Sequence, residues 1–102
     1  MKKTLGTHNY YVYILTNKNK SVLYVGVTND LHTRLYYHSN PEALSKHFSH
    51  KYKCMYLVYY EHFLDIDIAI QREKQLKRWR REKKEVLIND FNPNWSFLNN
   101  DI

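Results

Sequence analysis

The sequence predicts an α+β fold: a small three-stranded antiparallel sheet flanked by helices. Three observations carry this. Two segments rich in β-branched and aromatic residues, 10–15 and 22–27, are joined by a polar run of turn formers. A third such segment spans 53–61. Beyond the second and third segments, apolar residues recur at helical spacing.

The first two segments read as a hairpin around Thr16-Asn17-Lys18-Asn19-Lys20-Ser21. Centred on Lys18-Asn19, it sets Tyr13 opposite Tyr24 and Tyr11 opposite Gly26. Opposed residues share a face, with Cβ atoms roughly 5 Å apart. A slip by one residue would separate the two phenols. Gly26, without a side chain, leaves room for a ligand or another backbone.

Residues 29–39 read as a helix, with Thr28 or Asn29 as N-cap and Asp30 in the first turn. Leu31, Arg34, Leu35 and His38 follow the i, i+3, i+4, i+7 pattern, so Arg34 and His38 share a face. A helix this close behind the second strand packs back on the hairpin. That brings a guanidinium and an imidazole near the two tyrosines. Taken singly, each has a plainer reading. A strand tyrosine is ordinarily a packing residue, and this chain has 10.

Asn40-Pro41 ends that helix, because the residue before proline avoids the helical region. Residues 42–52 read as a short helix and a loop. They hold Lys46, His47, His50 and Lys51, better suited to a solvated or phosphate-facing loop than to a metal. The segment 53–61 is apolar on both faces, as in a central strand covered on both sides, with Cys54 a packing residue.

Residues 65–79 read as the main helix, capped by Asp65 or Asp67. Its stripe is Ile66, Ala69, Ile70, Leu76 and Trp79, and the 3.6-residue period places Glu73 on it. A carboxylate stands where the pattern asks for an apolar residue, so it needs a cation or a strong donor. A salt bridge to Arg34 or a neighbouring lysine would meet that need, and a helix rotated enough to wet the acid would remove it. Residues 74–84 then hold seven Lys or Arg, interrupted by Trp79. Such a run is ordinarily a solvated face. Its density makes Lys74, Lys77, Arg78, Arg80 and Arg81 candidates for phosphate contact. Residues 85–89 continue helical and Asn92-Pro93-Asn94 stops them. Trp95, Phe97 and Leu98 pack the tail onto the domain.

Tyr11-Val12-Tyr13, then Tyr24-Val25-Gly26, then Arg34, resemble the signature of the GIY-YIG nucleases, closest to the small single-domain bacterial members. Tyr11 replaces the first glycine and valines replace both isoleucines. The resemblance extends through Glu73 and covers most of the chain. It implies a divalent-metal-dependent endonuclease, a hydrolase of phosphodiester bonds acting on nucleic acid, DNA before RNA, in structure-directed processing or repair. It also implies that Glu73 is the metal ligand. A single carboxylate with many retained waters suits Mg2+ or Mn2+. Arg34 would neutralise charge on the phosphoryl oxygens. Tyr24 or Tyr13 would accept the proton of the attacking water, given a cation to lower its pKa. His38 would share that proton or orient a tyrosine, since imidazole titrates near neutrality. The family's supporting asparagine has no clear counterpart: Glu85 stands near its place, and Asn89 and Asn92 are candidates.

The net charge of +6 favours a polyanionic partner, and 43% hydrophobic residues argue against disorder. The 102 residues suit one domain, with a core of about 9–90 and a tail of 91–102. One cysteine excludes an internal disulfide and a Cys-based zinc site. The chain shows neither a signal peptide nor a membrane-spanning run, so a cytoplasmic protein is expected. Two other readings stand beside the nuclease. One is a nucleic-acid-binding module that cuts weakly or only with a partner, and the other is a basic structural protein.

Overall fold

A computed structural model describes residues 8–38 and 52–102. The expectations for the segment around Asn40-Pro41, Lys46, His47, His50 and Lys51 lie outside the described residues. Three strands form one antiparallel sheet in the order β2-β1-β3. β1 (Tyr10–Thr16) is central, between β2 (Leu23–Thr28) and β3 (Tyr56–Phe63). α1 (Leu31–His38) follows β2, while α2 (Ile66–Arg78) and α3 (Arg81–Phe91) follow β3. The three-stranded antiparallel α+β architecture read from the sequence is the one present.

Alternation along β1 divides the core in two. Val12 and Ile14 join Val25, Val58, Tyr59, Ala69, Leu76 and Ile88 on the face covered by α2 and α3. Tyr13 and Leu15 join Leu31, Leu35, Cys54 and Leu57 on the face covered by α1. Each fully buried aliphatic side chain contributes about 1.5–3 kcal/mol. Ile66, placed by periodicity on the α2 stripe, is instead exposed at the helix start.

The hairpin register differs from the sequence expectation by two residues. Tyr13 lies opposite Gly26, Leu15 opposite Tyr24, and Tyr11 opposite Thr28. The loop explains the offset. Lys20 N donates to Asn17 O at 3.0 Å, closing a turn with Lys18-Asn19 at its centre. Lys20 then takes a left-handed φ of 63°. The Ser21 and Val22 amides donate to Asn17 Oδ1 at 2.8 and 3.1 Å. Diverted from the ladder, they delay β2 until Leu23. A slip of two preserves parity, so Tyr13 and Tyr24 still share a face.

β3 is an edge strand, not the central one. Between Ile14 and Leu15 its register shifts: Ile14 faces Tyr59 and Leu15 faces Leu57. Val58 is the extra residue of a β-bulge. It sends Leu57 to one core and Val58 and Tyr59 to the other. That is why the segment reads as apolar on both faces. The C-terminal tail closes the outer edge. Leu98 N donates to Leu57 O at 2.8 Å. Asn99 accepts from Leu57 N and donates to Met55 O, both at 2.9 Å. No helix among the described residues is long and apolar enough to cross a membrane.

Candidate active site

Tyr13 is fully buried at the centre of the sheet, and its hydroxyl is joined to His38 Nε2 by a buried 2.9 Å hydrogen bond. An unpaired buried hydroxyl would cost about 1–3 kcal/mol, so the imidazole meets a structural need there. Gly26 makes the arrangement possible. A Cβ on it would meet the Tyr13 hydroxyl and lie 2.5 Å from Cζ. The space that glycine leaves is therefore filled by the Tyr13 ring and not by a ligand.

Tyr24, half-buried, stands diagonally across from Tyr13, with ring centroids 6.4 Å apart. The His38 ring closes the triangle, 5.7 Å from Tyr13 and 5.2 Å from Tyr24, edge-on to both. α1 delivers His38 and Arg34 together because its start is fixed. The N-cap is Asp30, not Thr28 or Asn29: Asp30 Oδ1 accepts from Thr33 N at 3.1 Å, and Thr28 Oγ1 accepts from Asp30 N at 3.1 Å. Hydrogen bonds from the Thr33 backbone amide and hydroxyl hold the Asp30 carboxyl below its usual pKa.

Charge couples these groups to α2. Burial pushes both phenols above their ordinary pKa of 10.0. The Arg34 guanidinium opposes that shift at both, and the Glu73 carboxylate reinforces it at both. Glu73 is therefore within electrostatic reach of both phenols. Its side chain is 14% exposed, and Lys77 Nζ sits 2.9 Å from Oε2. Glu73 thus has the cation that its place on the stripe demands.

The basic stretch is divided by a break. α2 ends at Arg78, Trp79 and Arg80 adopt extended backbone, and α3 starts at Arg81. Lys74 and Arg78 line one surface groove with Gln71, Gln75 and Trp79. Lys77 is the counter-ion of Glu73, and Arg80 is exposed. Arg81 is held by protein acceptors: Glu85 at 2.6 Å, and the carbonyls of Ser21 and Lys20 at 2.8 Å each. It pins the hairpin loop to α3, and it also engages Glu85. Asn92 is buried and donates to the carbonyls of Val58 and Ser96 at 3.1 and 2.9 Å, anchoring the tail. Asn89 accepts from Trp95 Nε1.

Sequence reasoning missed Gly26 as the seat of Tyr13, and Asn99 as the strand-edge cap. The first was legible in register alone. The second had no local signal.

A divalent cation fits this donor set in one form. Among the described residues, no three His, Cys, Asp or Glu side chains gather into a cluster. Among the described residues of the predicted site, Glu73 is the one carboxylate, and water would complete the shell of a cation held there, as Mg2+ and Mn2+ sites allow.

A family profile described as the GIY-YIG catalytic domain matches residues 9–86. The chain is 35% identical to a UPF0213 protein of Bacillus pumilus over 84 residues, covering 82% of this chain and 83% of that protein. It is 31% identical to a UPF0213 protein of Bacillus subtilis over 84 residues, covering 82% of each. Among solved structures, a UPF0213 protein of Bacillus halodurans, determined by solution NMR, is similar with a TM-score of 0.48 and 29% identity. The match covers 79% of this chain and 83% of that one. With its two tyrosine triplets on adjacent strands and the profile matching most of its length, this chain belongs to the GIY-YIG nuclease family.

Proposed function

We propose that this protein is a divalent-metal-dependent endonuclease that hydrolyses phosphodiester bonds in DNA, in structure-directed processing or repair. One observation carries the reading. Tyr13, Tyr24 and His38 meet on one face of the sheet, and Arg34 and Glu73 act electrostatically on both phenols.

Tyr24 is the phenol that reaches solvent, so it meets the attacking water. Tyr13, closed off and bonded to His38, positions it. The water oxygen forms the new bond to phosphorus as the bond to the leaving sugar oxygen breaks. Arg34 sets its planar donors against the charge that builds on the phosphoryl oxygens. Desolvation keeps both phenols neutral in the protein alone. Ionising Tyr24 therefore requires positive charge beyond Arg34. A divalent cation held by Glu73 would supply it, polarise the scissile phosphate and stabilise the leaving oxygen. With a cation there, Lys77 would be released from Glu73 to join Lys74, Arg78 and Arg80 as a phosphate contact. Arg81 serves by holding the hairpin loop.

The test is cleavage of a panel of duplex, nicked, flapped and branched DNA with Mg2+ or Mn2+. Wild type cuts, and Glu73→Ala loses at least about a hundredfold in rate, the scale of a lost transition-state charge contact. Equal cutting by Glu73→Ala overturns the assignment.

A further inference from the structure

A surface cleft at the loop end of the sheet has a volume of about 640 Å³. That is within the size range of ligand sites. The hairpin loop forms one wall with Asn17, Lys18 and Asn19. The approach to β3 forms the other, with Tyr52, Lys53, Met55 and Tyr56. Among the described residues that line it, none is acidic.

Behind the cleft, Tyr56 stacks on Phe97, with centroids 4.3 Å apart and planes 20° apart, and Lys20 Nζ lies 5.4 Å from the Phe97 centroid. Lys20 and Lys53, on the two walls' own segments, both hold left-handed backbone, with φ of 63° and 57°. That conformation is unfavourable for a residue with a Cβ, and such residues concentrate at functional sites.

Cys54, between Lys53 and Met55, is buried with Sγ 4.0 Å from Val22 O, and it acts electrostatically on Tyr24.

We propose that this cleft holds one or two unpaired nucleotides of the strand being cut, an inference that rests on the nuclease reading above. Bases stack on Tyr52 and Tyr56, the Asn19 side-chain amide meets a base edge, and Lys18 and Lys53 contact the adjoining phosphates. Aromatic faces with interleaved cations are the chemistry that single strands select, because a base in a duplex has no free face to offer. Substrates with a single-stranded flap, gap or end are therefore preferred over intact duplex.

The experiment is binding by the full chain, in EDTA so that nothing is cut. The probes are a single-stranded oligonucleotide carrying 2-aminopurine, and a fluorescein-labelled duplex of the same sequence. Wild type binds the single strand more tightly and alters the 2-aminopurine emission. Tyr56→Leu, which keeps an apolar contact for Phe97, weakens single-strand binding about tenfold. Lys18→Glu, on the exposed loop, weakens it and lowers its salt dependence. Neither variant changes duplex affinity. Far-UV circular dichroism checks that both fold, and Lys18→Glu carries the test if Tyr56→Leu does not. Equal affinity for the two probes, or wild-type single-strand binding by the folded variants, overturns the proposal. Because no turnover is involved, that failure is separate from a failure of the Glu73 cleavage test.

Discussion

Among individual residues, Gly26 and Tyr13 depend on one another most closely. The Tyr13 ring occupies the place of a Gly26 side chain and reaches His38 only from there. Gly26→Ala forces the ring aside and breaks the buried hydrogen bond. The expected cost is about 1–3 kcal/mol, typical of overpacking in a dense core, with cleavage lost as well. Urea denaturation and the nicking assay check the two effects separately. Wild-type stability in that variant would show that the ring has another resting place. The opposite case is Arg81, picked out by charge and found holding three protein acceptors. Composition marks which residues are cationic. It does not show which of them the fold has already engaged.

At the level of elements, the placement of Arg34 and His38 depends on how α1 begins. Asp30 caps it, and its carboxyl pKa is lowered by the Thr33 backbone bond. A depressed folded pKa means that the stability is present above the unfolded value of 3.8 and is lost as pH falls through the folded one. Asp30→Ala should cost about 1 kcal/mol at neutral pH. It should also lower cleavage at saturating substrate, because the two side chains shift with the helix start. A chemical-denaturation series measures the first and single-turnover rates the second. β3 offers a parallel case. Asn99→Ala leaves the Leu57 amide and the Met55 carbonyl without their side-chain partner at a strand edge, for about 1–3 kcal/mol. Hydrogen exchange at the Leu57 amide should rise in that variant while exchange in β1 stays slow. Uniform protection in both strands would rule out the capping role.

For the whole molecule, buried phenols govern behaviour in alkali. Burial raises the pKa of Tyr13, and burial with a hydrogen bond to Glu61 raises that of Tyr59, from an ordinary 10.0. Below that value the folded and unfolded chains both keep these protons, and they add no pH dependence. Above it the unfolded chain gives them up first, so stability falls as pH rises. Urea midpoints should therefore decline as pH rises above about 10, and Tyr59→Phe should flatten the decline. A midpoint that stays level in wild type would place both phenols in contact with water. The +6 charge adds a second trend at this scale: added salt weakens any binding to nucleic acid.

Local periodicity determined a good deal by itself. Side chains alternate with period 2 in a strand, so the two tyrosines share a face at any even slip of the hairpin. They repeat every 3.6 residues in a helix, so Arg34 and His38 stand one turn apart wherever α1 begins, and Glu73 interrupts an apolar stripe. These are properties of short stretches of chain, and they survive errors in long-range pairing. The tertiary structure alone decided the register, the central strand and the hairpin-loop partners of Arg81. Each depends on groups distant in sequence or on loop hydrogen bonds: Asn17 holding two amides out of the ladder, Asn99 closing an edge 42 residues away, Arg81 reaching carbonyls 60 and 61 residues back. No short-range pattern encodes such bonds, because their energy exists only once the chain has brought both ends together.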